Sequence, residues 1–207
     1  GKKDARISYK RARIVAPIPA PRRNILCVGK NYYEHAKEFD ASGFNATAGT
    51  DAIPADPIIF SKANTTVCGP GDLIPSYLDQ SKSTDYEVEL AVVIGIGGRG
   101  ITKRDAMKHV YGYTIVNDVT ARDLQGRHSQ WLIGKSQDGF CPMGPVAVTA
   151  DAFDLGAAQV RCWVNDELRQ DASTAQLIFD VPTLIETISA GITLYSGDII
   201  ATGTPAG

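Results

Sequence analysis

Two glutamates stand one residue apart in "TDYEVELAVVIG", residues 84–95, inside a run that is otherwise largely apolar. Alternate side chains of a strand point to opposite faces, so Tyr86, Val88, Leu90, Val92 and Ile94 form one apolar wall while Glu87 and Glu89 share the other. Their Cα atoms then lie roughly 6.5 Å apart, close enough for both carboxylates to converge on one hard cation. A third acid, Asp118, closes the β-prone run "YTIVND". Three carboxylates from two strands make an all-oxygen donor set with positions left over for water or substrate, which suits Mg²⁺ or Mn²⁺ and is compatible with Ca²⁺. Taken singly, each acid has a plainer reading: a solvated strand face for the glutamates, a helix cap for Asp118.

A second constellation lies in "NYYEHAKEF", 31–39, where His35 and Glu38 share a helix face. A carboxylate on one imidazole nitrogen fixes the tautomer and raises the basicity of the other, which is the arrangement of a general base. An exposed amphipathic turn would read the same way, with Glu34 as the solvent-facing acid. Lys135 sits in "IGKSQDGFCPMGP", among glycines and prolines that hold it in place, where it can neutralise an anionic intermediate. Arg122 and Gln125 in "TARDLQ" follow Asp118 closely, and Thr204 in "TGTPAG" can face an acidic ligand or belong to a turn. His109, at a helix end, reads as structural and His128 as exposed.

"GIGGRG", 95–100, imitates a dinucleotide-binding fingerprint, with Asp118 as its acid. It fails on mechanism: Thr102 caps the expected helix only after Gly100, so no helix N-terminus meets a pyrophosphate, and a central parallel strand would not carry two acids. A turn is the better reading. No His-Glu-x-x-His and no Gly-x-Ser-x-Gly occurs, which argues against zinc peptidase and serine hydrolase chemistry.

These residues need a framework, and short β-type runs supply it: "NILCVG", "PIIF", "EVELAVVIG", "YGYTIVND", "PVAVT", and "QVRCWV" followed after Asn165-Asp166 by "ELRQDA" as a hairpin. Helices are expected over 31–39, over 102–110 with Thr102 as cap, and over 180–191 with Pro182 early and Gly191 as stop. Glycine and proline cluster in "CGPGDLIP", "CPMGP" and "SGDIIATGTPAG" as turns. The segment from Asp40 to Asp56 reads as a lid or an unstructured connection. The fold class expected is mainly β with small peripheral helices.

A chain of 207 residues with 43% hydrophobic and 21% charged residues can bury a substantial core without staples. A formal charge of −2 offers no basic field for nucleic acid. Cys27, Cys68, Cys141 and Cys162 form no Cys-x-x-Cys pair, so reduced thiols and a cytoplasmic location are expected, and no apolar run reaches the roughly 20 residues that span a bilayer.

From about Asn24 onward the chain resembles the fumarylacetoacetate hydrolase family, through "VGKNYYEHAKEF", "PIIFSKANTTVCGPGD", "DYEVELAVVIG", "YTIVNDVTARDLQ", "KSQDGFCPMGP" and "GDIIATGTPAG" in the family's order. The resemblance implies a mixed β-sandwich roll, usually a homodimer, with a divalent cation on Glu87, Glu89 and Asp118. It implies a His35–Glu38 dyad on a lid over bound substrate, with Lys135, Gln125 and Thr204 as substrate contacts, and Arg122 is placed with them. Residues 1–23 are then an N-terminal extension and 24–207 the catalytic domain, lacking the C-terminal strands with which the family completes its roll.

The reaction expected first is hydrolysis of a carbon–carbon bond in an acylpyruvate or related β-diketo acid. The cation and Lys135 would stabilise a pyruvate enolate, and His35 would activate water. Decarboxylation of oxaloacetate, or isomerisation or hydration of related oxo-diacids, is the alternative on the same machinery. A relative that binds an oxoacid without turnover is the reading from another class.

Overall fold

The structure, a computed structural model, describes residue 8, residues 11–41 and residues 53–207, with Ala41 described by its backbone only. Its principal strands are β1 (Ile25–Gly29), β2 (Ile58–Lys62), β3 (Val88–Ile94), β4 (Val110–Asn117), β5 (Val148–Thr149), β6 (Gln159–Val164), β7 (Glu167–Ser173) and β8 (Ile199–Ala201). The helices are α1 (Tyr33–Ala41), α2 (Arg122–Arg127), α3 (Leu132–Lys135) and α4 (Val181–Ser189). The mainly β expectation holds, and the lid expected over 40–56 falls mostly on residues 42–52, outside the described residues.

Six strands form one mixed sheet in the order β2-β1-β8-β3-β4-β5. β1 runs parallel to β8, and every other pairing is antiparallel. β3 is buried along its whole length, because both faces of the sheet are covered there. One face carries Val88, Leu90, Val92 and Ile94 against Val160 of β6 and Leu184, Ile185 and Ile188 of α4. The other joins Ala91 to Ile25, Cys27, Val116, Met143 and Ile199. Period two therefore sorts β3 as expected, and the acids leave on the second face.

The β6–β7 hairpin turns at Asn165 and Asp166, with φ of 51° and 65°, as a two-residue turn of the primed type requires. α4 starts where Asp180 accepts a hydrogen bond from Thr183 N at 2.9 Å, and its apolar face follows the helical period. α1 begins two residues later than expected, at Tyr33.

Five expectations shift. The helix over 102–110 reduces to a 3-10 turn at Ala106–His109. Thr102, expected as the cap, donates its hydroxyl to Asp105, whose carboxylate also binds Arg104 and Lys108. Tyr86 precedes the strand it was assigned to, and "PVAVT" is extended only at Val148–Thr149. "PIIF" extends two residues further, to Lys62. Finally, "SGDIIATGTPAG" is more than turns, because Ile199–Ala201 is a buried strand in the middle of the sheet. Three buried residues show no alternation, so glycine and proline on either side mask the element.

Candidate active site

Register brings the acids together. Val88 pairs with Asn117, so Glu87 and Glu89 flank the pairing that Asp118 follows. Asp118 N donates to Glu87 O at 2.7 Å, and Glu87 N donates to Asn117 Oδ1 at 2.9 Å, which fixes the two chain ends against each other. One carboxylate oxygen from each of Glu87, Glu89 and Asp118 lies within 4.8 Å of the others. The three residues are only 4%, 1% and 0% exposed.

Cations surround two of them. Lys135, the last residue of α3, places Nζ 2.7 Å from Glu87 Oε2 and 2.8 Å from Asp118 Oδ2. Arg122, the first residue of α2, reaches Glu87 Oε1 at 2.6 Å, Asp85 Oδ2 at 2.8 Å and Gln125 Oε1 at 3.1 Å. Lys62, at the end of β2, reaches Asp118 Oδ1 at 2.6 Å and donates to Val119 O at 2.9 Å. Burial opposes ionisation of Glu87, but Lys135 and Arg122 overcome it and hold its carboxyl well below the usual range.

Glu89 differs. It accepts a hydrogen bond from Gly203 N at 2.8 Å, and burial, then the charges of Asp118 and Glu87, push its carboxyl well above the usual range. With all groups ionised, Glu87, Glu89, Asp118 and Asp85 outnumber Lys62, Lys135 and Arg122 by one negative charge. Hard oxygen donors, mutual proximity and an electrostatically uncompensated Glu89 are what a small divalent cation relieves, so these residues fit one. Gly203 has φ +104°, and a Cβ there would come 2.7 Å from Asn31 Cβ, so glycine lets this amide approach Glu89.

The cluster opens into a cavity of about 290 Å³ whose wall includes Lys30, His35, Phe60, Gln125, Trp131 and Thr204. A wider recess of about 560 Å³ adjoins it and shares His35, Phe39, Glu87 and Thr204. His35 is brought by α1, with Nδ1 3.6 Å from Glu38 Oε2. The histidine lowers the Glu38 carboxyl below its usual range, against the opposing effect of burial. The expected dyad thus faces the expected acids.

The remaining expectations divide. Gln125 is buried and lines the cavity, with its amide oxygen taken by Arg122. Thr204 lines it too, but its hydroxyl donates to Val88 O at 3.0 Å and accepts from Gln170 Nε2 at 2.8 Å, so it holds β3 in place. Lys135 grips two acids rather than standing free. His109 Nδ1 lies 2.7 Å from Ile96 O, away from the site, and His128 is exposed. Lys62, Lys30 and Asp85 escaped the sequence reading. A lysine closing a β-type run at Lys62 was the available signal, whereas nothing local distinguishes Lys30 from a surface residue.

Comparison with known proteins agrees with this geometry. Residues 24–207 match the family described as fumarylacetoacetate (FAA) hydrolase, C-terminal. The oxaloacetate tautomerase YisK of Bacillus subtilis (strain 168) is 51% identical over 202 residues, which cover 97% of this chain and 64% of that protein. The mitochondrial oxaloacetate tautomerase FAHD2A of Homo sapiens is 43% identical over 198 residues, 93% of this chain and 59% of that one. Among solved structures, a fumarylacetoacetate hydrolase from Exiguobacterium antarcticum superposes with a TM-score of 0.84 at 48% identity, covering 97% of this chain and 68% of that chain. A 2-hydroxyhepta-2,4-diene-1,7-dioate isomerase from Mycobacterium marinum gives 0.78 at 41% identity, covering 94% and 68%. The chain therefore spans about six-tenths of the length of the curated relatives it matches. With the sheet, the acid cluster and a family match that runs from Asn24 to Gly207, the chain belongs to the fumarylacetoacetate hydrolase family.

Proposed function

We propose that this domain shifts a proton at the carbon next to the 2-oxo group of an oxaloacetate-like acid, interconverting its keto and enol forms. The observation that carries this is the convergence of three buried carboxylates, two of which, Glu87 and Glu89, line a cavity that also holds His35. A Mg²⁺ or Mn²⁺ ion on Glu87, Glu89 and Asp118 would supply Lewis acidity toward the carboxylate and 2-oxo oxygens of such a substrate.

The protein's own groups divide the remaining work. His35, oriented by Glu38, takes the proton from the carbon and delivers it to the 2-oxo oxygen, or carries it the opposite way, so one C–H bond is exchanged for one O–H bond and no bond of the carbon skeleton breaks. Lys135 and Arg122 keep Glu87 ionised, Lys135 and Lys62 hold Asp118 in place, and Gln125 steadies Arg122. Phe39, Phe60 and Trp131 give the cavity apolar walls that strengthen each electrostatic contact within it.

Proton shifting accounts for the names of the relatives better than the hydrolysis expected first, since two are oxaloacetate tautomerases and one structural neighbour is a dienedioate isomerase. Decarboxylation of oxaloacetate and cleavage of acylpyruvates remain competing outcomes on the same groups. One experiment separates them: ultraviolet absorbance follows enol and ketone of oxaloacetate, a coupled assay follows pyruvate, and acylpyruvate is offered separately, each with Mg²⁺ and with chelator. Chelator-sensitive acceleration of tautomer exchange is expected. Pyruvate release without that acceleration, or turnover of acylpyruvate alone, would replace the proposal. The homodimer implied by the family resemblance belongs to the same proposal, and sedimentation reads it.

A further inference from the structure

Lys30 follows β1 with its backbone at φ 53°, a region that a side chain with a Cβ enters at a cost. The residue is 3% exposed, and its Nζ has no hydrogen-bond partner among the described residues. Nζ lies over the ring of Phe39, 5.5 Å from its centroid, in the wall of the cavity that contains Glu87 and Glu89. Burial lowers its affinity for the proton, and the nearby charge of Asp40 offsets this in part. An unpaired buried ammonium and a left-handed backbone are each unfavourable, yet both fall on one residue.

The surroundings enforce that placement. Asn31 donates to Thr202 O at 2.7 Å and to Phe179 O at 3.1 Å, and its Oδ1 accepts from Phe179 N at 2.7 Å, which pins the chain next to Lys30. The other lysine and arginine lining the two recesses are already engaged: Lys135 with Glu87 and Asp118, Arg122 with Asp85 and Glu87. Trp131 adds a second unpaired donor to the same wall. It is 7% exposed, its Nε1 has no hydrogen-bond partner among the described residues, and its ring is wedged edge-on between Phe39 and Phe60. Gly29 makes room for it, because a Cβ there would come 2.6 Å from the indole.

A 2-oxo mono-acid uses up its charge at the acid cluster, where its carboxylate and 2-oxo oxygens belong. A diacid brings one more carboxylate, which needs an unspent cation and donor in the same cavity. We propose that Lys30 Nζ, together with Trp131 Nε1, receives this second carboxylate and makes the site selective for 2-oxo diacids over the corresponding mono-acids. This rests on the reading of the cavity as a 2-oxo acid site. Lys30 is a specificity residue here and takes no part in the proton transfer.

The test uses the whole chain with Mg²⁺ and two unreactive probes, L-malate and L-lactate, which share a 2-hydroxy acid and differ in the second carboxylate. Isothermal titration should show malate binding at least tenfold more tightly than lactate. In Lys30→Met and Lys30→Gly the gap should close, with lactate unchanged. Glycine also suits the backbone at this position, so the melting temperature of Lys30→Gly should not fall, which guards against misfolding as the cause. A gap that survives in both variants, a wild type without one, or a wild type that binds neither probe would overturn the assignment. Oxaloacetate turnover is measured in parallel and bears only on the proposed activity: a Lys30-dependent gap in a protein without tautomerase activity leaves the diacid subsite standing and removes the reaction.

Discussion

Glu89 carries the sharpest consequence at the scale of single residues. Its neighbours Glu87 and Asp118 are each paired with lysine or arginine, whereas Glu89 has a backbone amide and two repelling carboxylates beside it. Glu89→Gln keeps an acceptor for Gly203 N and removes the repulsion. In chelated protein it should raise stability by on the order of 1 kcal/mol, read by thermal unfolding, because a neutral isostere removes the cost of burying an ionisable carboxyl beside two carboxylates. The same variant should weaken Mg²⁺ binding more than tenfold by calorimetry. Stabilisation with unchanged Mg²⁺ affinity would take Glu89 out of the metal site. His35 predicts the opposite separation. His35→Asn should leave Mg²⁺ affinity intact and slow proton transfer about 10²- to 10⁴-fold, measured as loss of tautomer exchange.

Elements fix how far local rules carry. α4 was legible because its cap, its proline and its apolar spacing all lie within a dozen residues and agree with one another. Asp180 is its N-cap, and bonds from Thr183, with Lys103 adding to them, hold its carboxyl below the usual range against the opposing effect of burial. Asp180→Ala should cost about 1 kcal/mol at neutral pH, measured by chemical denaturation. A depressed folded-state pKa means that this contribution is present above the unfolded pKa and is lost as pH falls through the folded one. The difference between wild type and variant should therefore shrink below about pH 4. The 102–110 segment shows the reverse case. Thr102 was expected as its cap, but its hydroxyl donates to Asp105, no side chain caps the 3-10 turn, and the chain passes directly into β4. β8 was missed because three buried residues carry no period to read.

On the scale of the whole molecule the acid cluster ties cation binding to folding, since its donors come from two strands whose pairing exists only in the folded chain. An ion that binds the folded state alone stabilises by about 2.7 kcal/mol at a hundredfold excess over its Kd. For a chain of this size that is a rise in Tm of roughly 5–10 °C with Mg²⁺. The rise should fall by about half or more in Glu89→Gln, and a full rise in that variant would place the ion elsewhere. Among the described residues no helix is long and apolar enough to cross a membrane, and none of the binding argued here calls for one.

By itself the sequence determined which residues share a strand face, where the two acid-bearing strands end, where the 180–191 helix lies and which turn closes the hairpin. Each of these follows from spacing of two, three or four residues along the chain. Only the tertiary structure decided that Asp118 meets Glu87, that Lys135 crosses 48 positions to grip that glutamate, that Lys62 lies against Asp118, and that Lys30 is buried with no hydrogen-bond partner for Nζ among the described residues. Those outcomes depend on strand register and on desolvation, which are properties of distant segments packed together, and no local pattern encodes them.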